Sequence, residues 1–345
     1  MKPRLAITMG DPTGVGAEVI AGVWGEQGIH GLGELLVIGA AETMERACRL
    51  RGLPAGVVKR LGDEAAFGEA SPDCVPVFEP PELRGQTDPL PGEVAYQAIR
   101  HAAQMCLAGE CDAVVTGPIS KANLQAAGHD YPGHTELLAE LCGVDDFAMM
   151  LYLPPGDTTR CPHGLGVVHT TLHTSLRSVF DQLTTAGIAA KCRLADTALR
   201  RFGAQRPRVA VAALNPHGGE DGLFGDEEIQ LIRPAVEQAA SDGLNVTGPW
   251  PVDTLMGRAA AGEFDAVVAM YHDQGHIALK LLGMHAAVNV TLGLPIVRTS
   301  VAHGTAPDLA WKGVAETDGM IAALRAASQL AGSSEREQSG APTPD

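Results

Sequence analysis

Three histidines stand where chemistry is usual in an α/β protein, directly after short apolar runs. His272 follows Asp265-Ala266-Val267-Val268-Ala269-Met270 within Tyr271-His272-Asp273-Gln274-Gly275-His276. His173 follows Leu165 to Thr171 in Thr170-Thr171-Leu172-His173, and His217 follows Arg208 to Leu214 in Asn215-Pro216-His217. Continuous short apolar runs read as buried parallel strands, and the carboxyl ends of such strands are where open sheets place ligands. Neutral imidazoles bind borderline divalent metals, and three protein ligands with one open position is the catalytic arrangement. Ten of the twelve histidines lie between His129 and His303. The residues alone leave metal binding and acid/base work both open.

Cationic groups near turns suggest an anion pocket. Lys280 lies about two turns along the helix that begins at His272, and Arg298 lies in the apolar run Leu294 to Ser300. His134 and Thr135 open a helix, a position suited to an anion. Arg offers a two-pronged fork and Lys a point charge for phosphate or carboxylate. Asp253 opens another helix, as an N-terminal acid or a base near the metal. Taken singly, each is as well explained by a local ion pair or a cap.

These side chains need a scaffold, and the chain supplies one. It has 345 residues, 45% of them hydrophobic, enough for two domains. Apolar strands alternate with helices and no internal repeat is visible, so a largely parallel α/β architecture is expected. Leu5 to Thr8 leads into Gly10-Asp11-Pro12-Thr13-Gly14-Val15-Gly16, a tight strand-to-helix loop whose spacing is not GxGxxG. Residues 52–95 read as irregular with short strands such as Val75 to Phe78, a last helix spans about Asp318 to Leu330, and the Ser/Glu/Gly/Pro-rich 332–345 tail is expected to be disordered. The net charge of −16 without a basic block argues against nucleic acid and anionic membranes. Seven scattered cysteines without a CxxC suit a reducing cytoplasm. No leader peptide and no membrane span is expected.

Several motifs, in order, resemble one family. They are Gly10-Asp11-Pro12-x-Gly14-x-Gly16, Thr116-Gly117-Pro118-Ile119-Ser120-Lys121, Gly133-His134-Thr135-Glu136, Asn215-Pro216-His217, Tyr271-His272-Asp273-Gln274, and Arg298-Thr299-Ser300 with His303-Gly304-Thr305. Together they are similar to the 4-hydroxythreonine-4-phosphate dehydrogenase (PdxA) family, over about residues 4 to 330. The resemblance implies an isopropylmalate/isocitrate dehydrogenase-like fold of two α/β domains with a cleft between them. The expected division is 1–125 plus 295–331 for the cofactor and 126–294 for metal, substrate and dimerisation. It implies NAD, or NADP, at a loop comprising Gly10, Asp11, His303, Gly304, Thr305 and Asp308. It implies one divalent metal held by His173, His217 and His272 from both subunits of a homodimer, zinc in first place with Co, Mn, Ni or Mg as alternatives. Substrate contacts map to His134, Thr135, Lys280, Asn289 and Arg298, and proton transfer to Lys280 or Asp253.

The implied reaction oxidises a secondary alcohol β to a carboxylate, with decarboxylation, on a small anionic substrate in the cytoplasm. Relatives acting on phosphorylated threonate or erythronate, or on the cis-dihydrodiol of terephthalate, remain alternatives. Ala302 stands where the family usually has Asp, Leu172 interrupts Thr-Thr-His, and residues 306–312 differ from the usual loop, which bears on substrate and cofactor preference. A phosphate acyltransferase on the same broad fold needs no histidine trio, and a non-catalytic metal-binding protein would turn nothing over.

Overall fold

The computed structural model describes residues 2–62 and 67–339, apart from the side chains of 334–339. The chain divides into two compact units, Met1–Asp145 with Leu294–Asp345, and Asp146–Gly293.

The first unit begins with β1 (Arg4–Thr8), α1 (Gly16–Trp24), β2 (Glu34–Ile38), α2 (Ala41–Leu50), β3 (Val58–Leu61) and β4 (Val75–Phe78). It continues with α3 (Pro91–Leu107), β5 (Ala113–Thr116), α4 (Lys121–Ala126) and α5 (His134–Cys142). The second unit holds β6 (Ala148–Leu153), β7 (Leu165–His169), α6 (Leu176–Gln182), α7 (Thr185–Arg201), β8 (Val209–Ala212), α8 (Arg233–Ser241), β9 (Val246–Trp250), α9 (Val252–Ala260), β10 (Ala266–Ala269), α10 (His272–Gly283) and β11 (Val288–Leu292). The chain then returns to the first unit with β12 (Val297–Val301) and α11 (Asp318–Ser339).

In the first unit the strand order is β3-β4-β2-β1-β5-β12, every neighbouring pair parallel. Strands β1, β2, β4 and β5 are buried along almost their whole length, which is why their sequences do not alternate. One core gathers Leu36, Ile38, Ala98, Ile99, Ala102, Val114, Leu137 and Leu138. Because Leu137 and Leu138 of α5 pack in that core, residues 126–145 belong to the first unit. The expected boundary after residue 125 therefore moves to 145.

In the second unit the order is β11-β6-β7-β10-β8-β9. Strands β7, β10, β8 and β9 are parallel, while β6 runs antiparallel to both its neighbours. The parallel expectation thus fails at β6. Its six residues are all buried, so its apolar pattern matches that of the parallel strands and carries no direction.

An Arg–Asp clasp recurs at the amino ends of the parallel strands in each unit. Arg4 N donates to Asp112 Oδ2 at 2.7 Å and its guanidinium to both carboxylate oxygens at 3.2 and 3.0 Å. Arg208 repeats the pattern with Asp265 at 2.8, 3.0 and 2.8 Å. The guanidinium in each case holds the carboxylate pKa below its ordinary range against the opposing pull of burial.

Residues 52–95 contain the expected short strand at Val75–Phe78, β4, paired in parallel with β3. One further expectation changes. Helix α11 runs on to Ser339, so the tail expected to be disordered from 332 is helical that far. Nothing in Ser334-Glu335-Arg336-Glu337-Gln338 breaks a helix, and Glu, Arg and Gln are good helix formers. Residues 340–345 lie outside the described residues.

Candidate active site

Strands β7, β10 and β8 are adjacent and parallel, so the three loops bearing His173, His272 and His217 leave the same edge of one sheet. Gln274 fastens that edge. Its Oε1 accepts from Met270 N at 2.7 Å and its Nε2 donates to Ala213 O at 2.7 Å, tying the ends of β10 and β8. Thr171 ties the end of β7 to the same place, its hydroxyl donating to Met270 O at 2.8 Å.

The rings of His173 and His272 have centroids 5.9 Å apart. Both line a cavity of about 290 Å³ together with Leu172, Thr174, Tyr271 and Asp273. Asp273 Oδ1 sits 2.7 Å from His272 Nδ1, so that nitrogen donates and Nε2 keeps its lone pair for an electrophile. His272 and His173 therefore fit a divalent cation. Among the described residues, however, no three His, Cys, Asp or Glu side chains of one chain gather closely enough to hold one.

His217 is exposed on a short 3₁₀ segment, Pro216–Gly222. Its φ of 54° begins a run of left-handed residues through Gly218, Gly219, Glu220 and Asp221. A buried carboxylate that sequence reasoning missed holds this loop. Glu228 Oε1 accepts from Leu214 N and Asn215 N, both at 2.7 Å, and Oε2 accepts from Asn215 Nδ2 at 2.9 Å. Glu228 opens a π-helical turn, Glu228–Ile232, a distortion common at functional sites. The helix expected over Asp226 to Ser241 is thus a π turn followed by α8.

Helix α10 carries His272, His276 and Lys280 at intervals of four, hence on one face. Behind His272 lie two more buried histidines. His276 stacks on His272, and its Nδ1 lies 3.0 Å from His169 Nε2. Burial lowers His169 to about 4 and His276 to about 2, so both are neutral. The sequence sets His272 and His276 four apart, but the parts played by His276 and by His169, which ends a strand in apolar sequence, were not legible. Asp253 is exposed in the first turn of α9. Asn289 lies in β11, its Nδ2 donating to Met149 Sδ at 3.2 Å while its buried Oδ1 has no hydrogen-bond partner among the described residues.

The other expected residues lie in the first unit. Arg298 of β12 is 1% exposed and donates from Nη2 to Thr116 Oγ1 at 2.7 Å. Desolvation pushes its guanidinium down to about 9, with Glu136 pulling the other way. His134, first residue of α5, is held well below the ordinary imidazole pKa by desolvation and then by Arg298, opposed by a hydrogen bond to the backbone of Gly117. Its Nε2 is buried without a hydrogen-bond partner among the described residues. Thr135 beside it is buried. A desolvated guanidinium, a neutral imidazole and a helix N-terminus form a receptor suited to phosphate.

The residues expected at the cofactor lie on two loops that touch at Val15 and Thr305. Gly10 has φ of +73°, and a Cβ there would lie 2.2 Å from Pro118 O. Asp11 is buried and occupied within the fold, accepting from Thr13 N at 2.8 Å and Asn123 Nδ2 at 2.7 Å. It shapes the loop rather than facing outward. Val15 N donates to Thr305 O at 3.0 Å, and a Cβ on Gly14 would meet that oxygen at 2.9 Å, so the two glycine-bearing loops touch. His303 Nδ1 lies 2.9 Å from Gly304 O, and Asp308 is exposed. Trp311, in the divergent segment, lies under the Arg46 guanidinium at 3.9 Å.

The sequence and fold are similar to those of known proteins. The family described as pyridoxal phosphate biosynthetic protein PdxA matches residues 32–327. A D-threonate 4-phosphate dehydrogenase of Salmonella typhimurium is 43% identical over 95% of this chain and 98% of its own. A 4-hydroxythreonine-4-phosphate dehydrogenase of Geobacter metallireducens is 44% identical over 96% of each chain. The crystal structure of a 4-hydroxythreonine-4-phosphate dehydrogenase from Klebsiella pneumoniae matches with a TM-score of 0.81 at 42% identity, covering 95% of this chain and 99% of that one.

Proposed function

The chain belongs to the PdxA family, and from that premise we propose that it is a nicotinamide-dependent dehydrogenase of a phosphorylated four-carbon hydroxy acid, with 4-hydroxythreonine 4-phosphate as first substrate. The observation that carries the reading is the shared edge of β7, β10 and β8, from which His173, His272 and His217 all emerge. The fold proposed is that of the isopropylmalate and isocitrate dehydrogenases. The setting proposed is the cytoplasm; no described helix is long and apolar enough to cross a membrane.

In this reading Arg298, His134, Thr135 and the N-terminus of α5 receive the substrate's anionic group. Neutral His134 donates or accepts a hydrogen bond without adding charge, and Arg298 supplies the fork. Lys280, on the same helix face as His272, offers a further cation, and Asn289 an amide. Gly10, His303, Gly304, Thr305 and Asp308 form the loops proposed for NAD, or NADP, with Asp11 holding their shape. His173, His217 and His272 would hold a divalent metal, zinc in first place, whose Lewis acidity stabilises negative charge on a substrate oxygen. Lys280 or Asp253 takes the hydroxyl proton as the hydride leaves the carbinol carbon, and returns one when carbon dioxide departs.

One chain does not complete the histidine trio, so we propose a homodimer in which a second copy completes it. Support comes from an apolar stripe beside the site: Ile277 and Leu281 on α10 and Met284 at its C-cap are 57%, 83% and 55% exposed. Exposed apolar groups at helical spacing mark an interaction surface.

The similarity to a D-threonate 4-phosphate dehydrogenase keeps that substrate as the second reading. The two substrates differ at the carbon next to the carboxylate, amino in one and hydroxyl in the other. NADH formation from 4-hydroxythreonine 4-phosphate, threonate 4-phosphate, erythronate 4-phosphate and a terephthalate dihydrodiol, with and without a chelator, tests the proposal. Chelator-sensitive NADH from one of the phosphorylated acids is expected. Chelator-insensitive acyl transfer with no NADH would overturn it.

A further inference from the structure

The two buried histidines behind His272 form an ordered line. His276 lies flat against His272, ring centroids 3.7 Å apart and planes 11° apart. Its Nδ1 faces His169 Nε2 at 3.0 Å, and His169 Nδ1 faces the Met149 carbonyl at 3.4 Å. A carbonyl only accepts, so the His169 proton is on Nδ1. His169 Nε2 then accepts, and the His276 proton is on its Nδ1. Each ring's tautomer and orientation is thereby fixed, and turning either ring over would break the line.

The packing is built around this line. Helix α10 comes close to β7 at Gly275, where a Cβ would stand 2.6 Å from His169 Nε2 and 2.6 Å from Val167 Cγ1. His169 is 1% and His276 8% exposed. Two imidazoles so deep in an otherwise apolar layer add little to stability over apolar residues of the same shape, since each trades hydrogen bonds to water for bonds to protein. What they add is orientation of the surface on which His272 rests.

We infer that His276 and His169 are positioning residues that fix the ring plane of His272 and so preorganise it as a ligand for a divalent cation. The inference rests on the role proposed above for His272. Partners of this kind behind a ligating histidine tune metal affinity without touching the metal.

The test uses full-length, metal-free protein in its native assembly, with Co²⁺ as probe. Affinity is read by competition with a chromophoric chelator and geometry by the Co²⁺ absorption bands. His276→Ala, and His169→Leu, which keeps the volume but removes the line, are each expected to weaken Co²⁺ binding about 10- to 100-fold and shift the bands. His169→Gln, whose amide can still accept from His276, is expected to stay much closer to the wild type. Should His276→Ala not fold, His169→Leu against His169→Gln decides. Wild-type affinity and spectrum in both His276→Ala and His169→Leu, with His272→Ala losing Co²⁺, would overturn the inference alone. Wild-type affinity in His272→Ala would instead remove the ligand assignment on which it rests.

Discussion

Glu228 offers the most quantitative test of how the loop around His217 is held. Its carboxylate is 1% exposed and takes three N–H donors, two from the main chain and one from Asn215. Glu228→Ala removes the acceptor for both main-chain donors, while Asn215 Nδ2 keeps Glu227 Oε2 at 2.6 Å. A hydrogen bond to a charged group contributes about 1.5 to 3 kcal/mol, and an orphaned buried donor costs about 1 to 3 kcal/mol. Water entering the vacated space recovers part, so a loss of about 4 kcal/mol is expected. Glu228→Gln keeps one neutral oxygen for the main-chain donors but sets an NH₂ against the Asn215 NH₂, for about 2 kcal/mol. Equilibrium urea denaturation followed by circular dichroism reads both. The run of left-handed residues from His217 to Asp221 is entered through Asn215, whose backbone Glu228 holds, so Co²⁺ affinity should fall in Glu228→Gln even where the fold persists. Variants within about 0.5 kcal/mol of the wild type, the usual range for an ordinary surface change, would refute the reasoning.

Two other predictions concern the first unit. His134 is neutral in the folded protein, its pKa depressed by desolvation and Arg298, while the unfolded ring titrates normally. Below about pH 6.5 the unfolded state binds the extra proton, so stability falls with acid by at most about 1.4 kcal/mol per pH unit from this group. His134→Asn should flatten the acid limb of a stability-against-pH series by that slope, and an unchanged slope would contradict it. Gly10→Ala forces a Cβ into a left-handed position 2.2 Å from Pro118 O, so a loss of about 3 kcal/mol or more is expected in thermal unfolding; a wild-type midpoint would contradict it.

Much of this was readable from residue order, for definite reasons. Apolar runs such as Val267-Val268-Ala269 lie in fully buried strands, so the position of each strand end, and of the polar cluster after it, follows directly. That placed the loops bearing His173, His217 and His272 at strand ends. The direction of β6 was not readable, because a strand buried on both faces looks alike either way round. Helix α6 was missed because Leu176-Arg177-Ser178-Val179-Phe180 buries only Val179 and has almost no periodic face. Glu228 and His169 were missed because their partners lie 14 and 107 residues away in the chain, and no local pattern marks a side chain whose task is to hold another. Asp11 was read as a cofactor contact; its neighbours Thr13 and Asn123 claim its carboxylate instead.

The repeated Arg–Asp clasps have a consequence for divergence. Arg4 with Asp112, and Arg208 with Asp265, grip the amino ends of strands whose carboxyl ends lead to Gly10, Thr116, Asn215 and Tyr271. Anchorage and chemistry thus occupy opposite rims of each sheet. Substitutions on the rim that carries the chemistry therefore leave the clasps on the other rim in place.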